Sequence, residues 1–551
     1  MLIPSKAALI ALASLCFEQV SGESNAERYQ QILKNPKERA KYRAACPAYE
    51  HYVRQPHPPF TEGPMELPFQ RPQELCRTFE SAHVEKTIHY MNEHIQDKDL
   101  ARIFENAFPN TLDTTVRWHV DGSEKLDDVL DPYELDEGRW QGPQSFIVTG
   151  DINAEWLRDS TNQLAQYQRL VKKDAALHNL ILGAINTQAE YVIESPYCNA
   201  FQPPPPSGLS PSGAGARDDV HPAYEPAKVF ECKYELDSLA AFLSLTSQFY
   251  NHSSSTAFLT SRWYLALKSL LATLDEQSRP TFDPETGAFD QNEYTFQRRT
   301  DTGTETLNLK GNGNPLGADT GLIRSAFRPS DDATILQYLI PANAMISVEL
   351  RRTSALLSSA GKSRLAADLL SRAEAISAGI YAHGTVTTQK WGKVFAYETD
   401  GYGSHILMDD ANLPSLLSLP LLGFVDRDDE IYQNTRKMIL AKSGNPYYLK
   451  GKAFKGIGGP HIGLTHAWPM SVLVQAMTSE DDEEIRECLE QVKRASPLGV
   501  VHESINVERV RDYTRPWFAW ANSVFAQTVL DLAERKPHLL FGKGAEPYVI
   551  G

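Results

Sequence analysis

The sequence predicts an all-α protein, a helical toroid with short β pieces confined to its loops. Three observations lead there. Apolar residues recur at spacings of three and four along about a dozen segments. Strand-like alternation is confined to residues 114–120 and 145–149. Polar motifs rich in Asp, Glu, Arg and Trp fall in the connections rather than along the helices. Helices paired in two layers, with loops converging on one end, would gather such motifs at one mouth.

In chain order, residues 1–22 read as a secretory leader. Lys6 precedes an apolar run over 7–16, and Val20-Ser21-Gly22 offers the small residues of a cleavage site after Gly22, so a secreted protein is expected. No later stretch reaches the roughly 18 uninterrupted apolar residues of a membrane helix. Residues 23–74 carry Pro56, Pro58, Pro59, Pro64, Pro68 and Pro72 and read as an extended arm wrapping a surface. Residues 75–551 form the helical unit. Val84, Ile88, Met91 and Ile95 open it at helical spacing, before Leu100, Ile103 and Phe104. Helices are then expected over 154–171, 175–193, 236–251, 254–277, 333–359, 362–383, 414–422, 429–443, 465–476, 481–495 and 519–532. Two segments interrupt them: the proline-rich 202–215 and the Gly-, Asn- and Thr-rich 301–319, both expected as surface loops.

With 551 residues and 42% hydrophobic content the chain can bury a large core. Its net charge of −16 and lack of a basic block exclude a nucleic-acid binder and favour an uncharged or cationic substrate. Aromatic content of 10% suits stacking on sugar rings, and equally the filling of a core. Once Cys16 leaves with the leader, Cys46, Cys76, Cys198, Cys232 and Cys488 remain. An oxidising compartment then allows two disulfides and one thiol, and sequence order pairs Cys46 with Cys76 and Cys198 with Cys232. The sequon Asn251-His252-Ser253 agrees with secretion.

The chemistry is densest between residues 321 and 343, where Arg324, Arg328, Asp331 and Asp332 stand among Leu322, Ile323, Phe327, Ile335 and Leu336. Pro329 and Ser330 read as a helix start whose first turn two aspartates would cap. The same adjacent carboxylates also read as a pair with divided pKa values, fit for acid catalysis. Comparable runs are Gly150 onward through Trp156-Leu157-Arg158-Asp159-Ser160, Lys233-Tyr234-Glu235-Leu236-Asp237, Tyr397-Glu398, Met408-Asp409-Asp410-Ala411-Asn412, Gly458-Gly459-Pro460-His461, His502-Glu503-Ser504 and Tyr513-Thr514-Arg515-Pro516-Trp517-Phe518-Ala519-Trp520. Each alone also fits a cap or a buried ion pair. His461 and His466 lack zinc-type spacing, and neither a phosphate-cradling loop nor a nucleophile elbow is present.

In this order, the runs Trp156 to Ser160, Phe327 to Asp332, Met408 to Asn412 and Arg515 to Trp520 resemble glycoside hydrolase family 125, the exo-acting α-1,6-mannosidases, across roughly residues 75–535. The resemblance implies a single (α/α)6 barrel and an inverting mechanism with an aspartate acid and a glutamate base; no cofactor is expected, and the histidine spacing gives no metal site. Carried over by position, the acid falls on Asp331 or Asp332 and the base on Glu503. Inversion requires the two carboxyls roughly 6.5 to 9.5 Å apart, leaving room for a water. Trp156, Arg158, Asp159, Arg328, Asp409, Asp410, Asn412, His461, His502 and Trp517 are assigned to sugar binding. For Arg158 with Asp159, and for Asp409 with Asp410, a structural role fits equally. The expectation is a monomer acting on mannose-containing oligosaccharides, the non-reducing ends of N-glycans or mannans. Its rivals are another α/α-barrel glycosidase such as a glucosidase, a glycan-binding protein without catalysis, and a helical scaffold.

Overall fold

The computed structural model describes residues 42, 45–122, 142–213 and 217–550; the expected leader, 1–22, lies outside them. The described chain is helix-rich. Its longer helices are α1 Ala82–His94, α2 Lys98–Ala107, α3 Leu157–Ala165, α4 Ala175–Glu194, α5 Leu236–Ser253, α6 Ser261–Gln277, α7 Ile340–Ser359, α8 Ser363–His383, α9 Glu430–Ile439, α10 Pro469–Met477, α11 Asp482–Arg494 and α12 Ala519–Arg535. Their starts follow from local chemistry. The carboxylates of Asp97, Asp174, Asp429 and Asp481 and the hydroxyl of Thr260 accept first-turn N–H groups, which have no partner inside a helix. Proline opens α7 and α10, where its fixed φ is helical and its missing N–H costs nothing.

The helices pack in two sets. α3 lies on α5, α5 on α7, α10 on α12 and α12 back on α3; against them lie α4, which packs with α6, together with α8 on α7, α11 on α10 and α2 on α12. α5 is buried nearly all round, and so is α4 beyond its first turn, whereas α11 carries a charged outer stripe. One continuous apolar core runs through both sets.

The strands are short and serve the connections. Val116–Val120 pairs antiparallel with Gln144–Ile147, Trp118 opposite Phe146, close to the expected 114–120 and 145–149. Three small sheets lead into helices: Glu155–Trp156 before α3, Tyr338–Leu339 before α7 and His466–Ala467 before α10. Each pins the residues just upstream of a helix N-terminus, the places where the polar motifs lie.

Several boundaries differ from the sequence reading, each for a local reason. The helix expected over 333–359 begins only at Ile340, and Pro329-Ser330 starts no helix: Asp331 adopts a left-handed φ of 66°, and Phe327 bridges Ala333 across a tight turn. The one expected over 254–277 begins at Ser261, because Ser254 is left-handed and the true cap is Thr260. That over 154–171 is α3 followed by a separate turn at Gln168–Leu170, and that over 414–422 shrinks to Leu419–Leu422. The proline-rich loop is only partly superficial: Gln202 is buried, its amide donating to the Ser212 carbonyl. The 301–319 loop is tied down as well, since the Ala333 N–H donates to Thr304 O and Leu307 and Leu316 are buried.

Both expected disulfides form, Cys46–Cys76 and Cys198–Cys232, and Cys488 is a buried thiol. The arm, described continuously from Ala45 on, makes one helical turn at Tyr49–Tyr52 and then runs extended over the helices. Its Arg71 pairs with Asp113 at 2.8 Å and Glu85 at 2.5 Å.

Candidate active site

Six connections bring the polar motifs together. Arg158, in the first turn of α3, is buried and extends its guanidinium among carboxyls: Asp159 at 3.2 Å, Glu235 at 2.5 Å and Asp237 at 3.3 Å. The Trp520 ring covers its face at 5.1 Å. Asp331 belongs to the same group. It accepts from Asn199 Nδ2 at 3.3 Å, and Lys233, Arg158 and His461 outweigh its burial and hold its carboxyl down at about 2. Asp159 is pushed the other way, to about 6, by burial, with Arg158 opposing and Asp331 adding repulsion.

Asp332 belongs to a second carboxyl pair, with Asp410. Ser330 Oγ donates to Asp410 at 2.7 Å and lies 3.4 Å from Asp332 Oδ2. Burial, and then the Asp332 charge, raise the Asp410 carboxyl above its usual range. Asn412 closes on Asp410 through its backbone N–H at 3.2 Å and its amide at 3.3 Å. A Cβ at Gly459 would stand 3.0 Å from the Asp410 carboxylate, so a larger residue there would press on that side chain. The next turn carries His461, half-exposed, with Nδ1 3.8 Å from Asp332 Oδ1. Burial disfavours its charge, but Asp332 and Asp331 overcome that and raise it to about 9, so it is an imidazolium at neutral pH.

Glu503 is buried on the opposite connection, between α11 and α12. Thr514 Oγ1 donates to its Oε2 and Arg515 Nη1 to its Oε1, each at 2.6 Å, and Arg515 also reaches Asp151 at 3.2 Å. Arg515 feels Asp331 and Asp159 besides Glu503 and Asp151, which sets the Glu503 loop facing the aspartate cluster. His502 is buried beside it, stacked on Tyr513 at 4.0 Å; burial pushes it down to about 4, so it is neutral and donates through Nδ1 to the Pro516 carbonyl at 2.6 Å.

The other expected residues have structural partners. Arg328 is buried and donates to Glu398 at 2.6 Å, over the Tyr397 ring. Asp409 accepts the N–H groups of Leu416 and Leu417 at 2.8 and 3.0 Å and fixes the turn after Asn412; burial pushes its carboxyl up to about 8. Trp517 donates Nε1 to Asn110 at 2.6 Å and takes the edge of Tyr49 from the arm. Trp156 lies buried beside Phe230, 5.5 Å away. Arg324 turns from the cluster toward the Arg279 carbonyl.

The sequence reading left Asn199, Lys233, Glu235, Glu398, Thr514 and Arg515 out of the site. Five of them stand inside or beside motifs it had singled out, and only pairing across the fold shows what they touch. Asn199 had one signal, its place next to Cys198. Among the described residues no group of three or more His, Cys, Asp and Glu side chains is arranged to hold a metal ion, and no helix is long and apolar enough to cross a membrane.

Carboxyls held in opposed states around a partly open, charged loop cluster are the working parts of a glycoside hydrolase. Comparison with known proteins identifies the family. The sequence matches the metal-independent alpha-mannosidase family (GH125) over residues 97–530, and the chain belongs to that family. It is 55% identical over 497 residues to the meiotically up-regulated gene 157 protein of Schizosaccharomyces pombe, covering 90% of this chain and 94% of that one. Its structure matches a metal-independent alpha mannosidase from Streptococcus pneumoniae, solved in a non-productive complex with alpha-1,6-mannobiose, with a TM-score of 0.71 and 32% identity over 82% of this chain and 99% of that one.

Proposed function

We propose that this protein is an inverting exo-α-1,6-mannosidase that removes non-reducing terminal mannose from N-glycans or mannans, and that its paired helices close into an (α/α)6 barrel around the site. The observation that carries the reading is the opposition of two carboxyl sets across one cluster: Asp331 and Asp332 on the connection before α7, and Glu503 on the connection before α12, with Arg515 between them. In this reading the aspartate pair protonates the departing oxygen. Glu503, gripped by Thr514 and Arg515, takes a proton from the water that attacks the opposite face of the ring. Ionised Asp331, Arg158 and Asp159, with Asp410, Asn412 and His461, supply hydrogen-bond partners for vicinal mannose hydroxyls. The packing of α3 on α5, α5 on α7, α10 on α12 and α12 on α3 supports closure. Secretion through residues 1–22 completes the reading, and two disulfides support an oxidising compartment.

The test is proton NMR of the sugar released from α-1,6-mannobiose, with α-1,2- and α-1,3-linked controls, for wild type, Asp331→Asn, Asp332→Asn and Glu503→Gln. Expected are cleavage of the 1,6 linkage alone, β-mannose as first product, and loss of turnover in Glu503→Gln. First release of α-mannose, or full activity in Glu503→Gln, would overturn the carboxyl roles.

A further inference from the structure

We propose that Glu235 is a neutral carboxylic acid at neutral pH, donating its proton in a hydrogen bond to ionised Asp331 and acting as a positioning residue for the aspartate pair. The inference rests on the reading of that pair as the acid-bearing element, and it starts from a count of charges. Arg158 is one buried cation facing four carboxyls, Asp159, Glu235, Asp237 and Asp331. The neighbouring cations are engaged elsewhere too: Lys233 with Glu231 at 3.4 Å, and His461 with Asp332 at 3.8 Å. Four ionised carboxyls around one guanidinium, away from water, is not a stable arrangement.

The Glu235 and Asp331 carboxyls both face Arg158 and stand close enough to act on each other's charge. Two carboxyls so placed cannot both be ionised, so one of them carries the proton. The surroundings say which. Asp331 is partly exposed, accepts from Asn199, and faces Lys233, Arg158 and His461. Glu235 is sealed in the core at the start of α5. Its Oε2 takes Arg158 and Ser238, while its Oε1 receives no donor at all. An oxygen without donors is where a proton belongs. Burial drives the Glu235 carboxyl well above its usual range against the pull of Arg158, in the same direction as the geometry.

The bond has a structural purpose. Asp331 holds a left-handed φ of 66°, an unfavourable backbone for a residue with a side chain, so its carboxylate needs fixing from outside. A neutral donor does this without adding charge, whereas an ionised glutamate would repel it.

The groups facing Glu235 are Arg158 and Asp159 from α3, Asp237 from α5, Lys233 and Tyr294 beside it, and Asp331, with His461 and Arg515 beyond. The test therefore compares proteins that share all the others. A glutamate neutral in the fold but ionised in the unfolded chain above about pH 4.3 makes folding take up a proton, so stability falls with rising pH. The melting temperature of wild type minus that of Glu235→Gln, followed from about pH 5 to about pH 8, should decrease steadily. A flat or increasing difference overturns the proposal, because it means Glu235 is ionised in the fold. Asp331→Asn supplies a second reading that needs no substitution at Glu235: without the neighbouring charge, burial is left to hold Glu235 up against Arg158 with less help, its rise is smaller, and the downward slope seen in wild type over the same range should weaken. An unchanged slope counts against the hydrogen bond. In activity, Glu235→Ala should lower kcat/KM about a hundredfold, the cost of one buried donor to a charged acceptor, and Glu235→Gln, which keeps an N–H donor, should recover about tenfold of that. A glutamate serving only as the Arg158 counter-ion would show no such rescue. The melting data stand even if no mannoside is cleaved, so failure of the catalytic reading and failure of this one are separable.

Discussion

Replacing Arg328 with methionine tests how the loop carrying Asp331 and Asp332 is held. The guanidinium donates Nε to Glu398 at 2.6 Å and stacks over Tyr397, both partners fully buried. Glu398 in turn accepts the backbone N–H groups of Ile335 and Leu336, each at 2.9 Å. The strand Glu398–Thr399 pairs with Tyr338–Leu339, just before α7. One carboxylate thus pins both flanks of the turn carrying Asp331 and Asp332. Methionine keeps much of the arginine's length and apolar contact, so the change mainly removes the cation. An unpaired buried carboxylate costs about 3–5 kcal/mol, and that is the loss expected in urea unfolding of Arg328→Met. Adding Glu398→Gln removes the stranded charge while keeping an acceptor for the two N–H groups, and should recover more than half of the loss. Because the turn loses its anchor, kcat/KM on α-1,6-mannobiose should fall about a hundredfold in the single variant. A loss under about 1 kcal/mol, or no recovery in the double variant, would refute the anchoring argument. Unchanged kcat/KM in a destabilised Arg328→Met would show that the turn keeps its shape without the ion pair.

Three further outcomes follow from other contacts. The Cys198–Cys232 bridge closes a 34-residue separation, and its neighbours Asn199 and Lys233 face Asp331. Cys198→Ala with Cys232→Ala should cost about 3–4 kcal/mol by loop entropy and lower kcat/KM as well, and an effect on stability without any on activity would uncouple the bridge from the site. His461 is charged in the fold up to about 9 because Asp332 and Asp331 outweigh its burial. Its contribution to stability is complete below about pH 6.5, the unfolded value, and is lost as pH rises through about 9; His461→Gln should abolish that dependence in melts across this window, and a dependence unchanged in the variant would show it belongs to another group. Tyr49→Ala removes an edge-on ring 4.7 Å from Trp517 and should lower both stability and kcat/KM, read by melting temperature and mannobiose turnover; normal turnover would mean the arm does not support the site.

Most helices were legible because burial imposes a period of three to four on the residues facing the core, as in α1, α4 and α12. Their starts were legible where a single residue decides, as at Asp174 and Asp481. The start of α7 was not, because Pro329-Ser330-Asp331-Asp332 has the composition of a cap and only long-range partners reveal a turn: Glu398 for Arg328, Asp410 for Ser330, Asn199 for Asp331. The site divides in the same way. Asp331, Asp332, Glu503, Arg158, Asp159, Asp410, Asn412 and His461 stood in runs that were each ambiguous alone and were assigned through the family resemblance of the whole set; the structure brings them into one neighbourhood. What the runs could not say is which members face each other. Asp409 and Asp410 are adjacent in sequence, yet one fixes the backbone at Leu416 and the other faces Asp332. Glu235 stood in a recorded motif, but its partnership with Asp331 spans 96 residues of chain, from 235 to 331, and no local pattern encodes such a contact.

The arm shows why the site's support extends beyond the family match. That match begins at residue 97, yet Tyr49, Val53 and Val500 form a small core with Trp517 and Ala519. Trp517 lies two residues past Arg515, which holds Glu503. Its ring is fixed on one edge by Asn110, through Nε1, and on another by Tyr49, and Gly150 passes so near that a Cβ there would touch the indole at 3.5 Å. Asn110 Nδ2 also donates to the Tyr49 hydroxyl at 3.3 Å, closing a triangle of Tyr49, Asn110 and Trp517. The Cys46–Cys76 bridge keeps Tyr49 in place by shortening the arm's free length. The base role proposed for Glu503 demands positioning to within a fraction of an ångström, and a loop does not do that by itself. Here the loop after Glu503 borrows its rigidity from a segment more than 450 residues upstream. The arm is thereby part of the apparatus that aims Glu503, in addition to covering a surface.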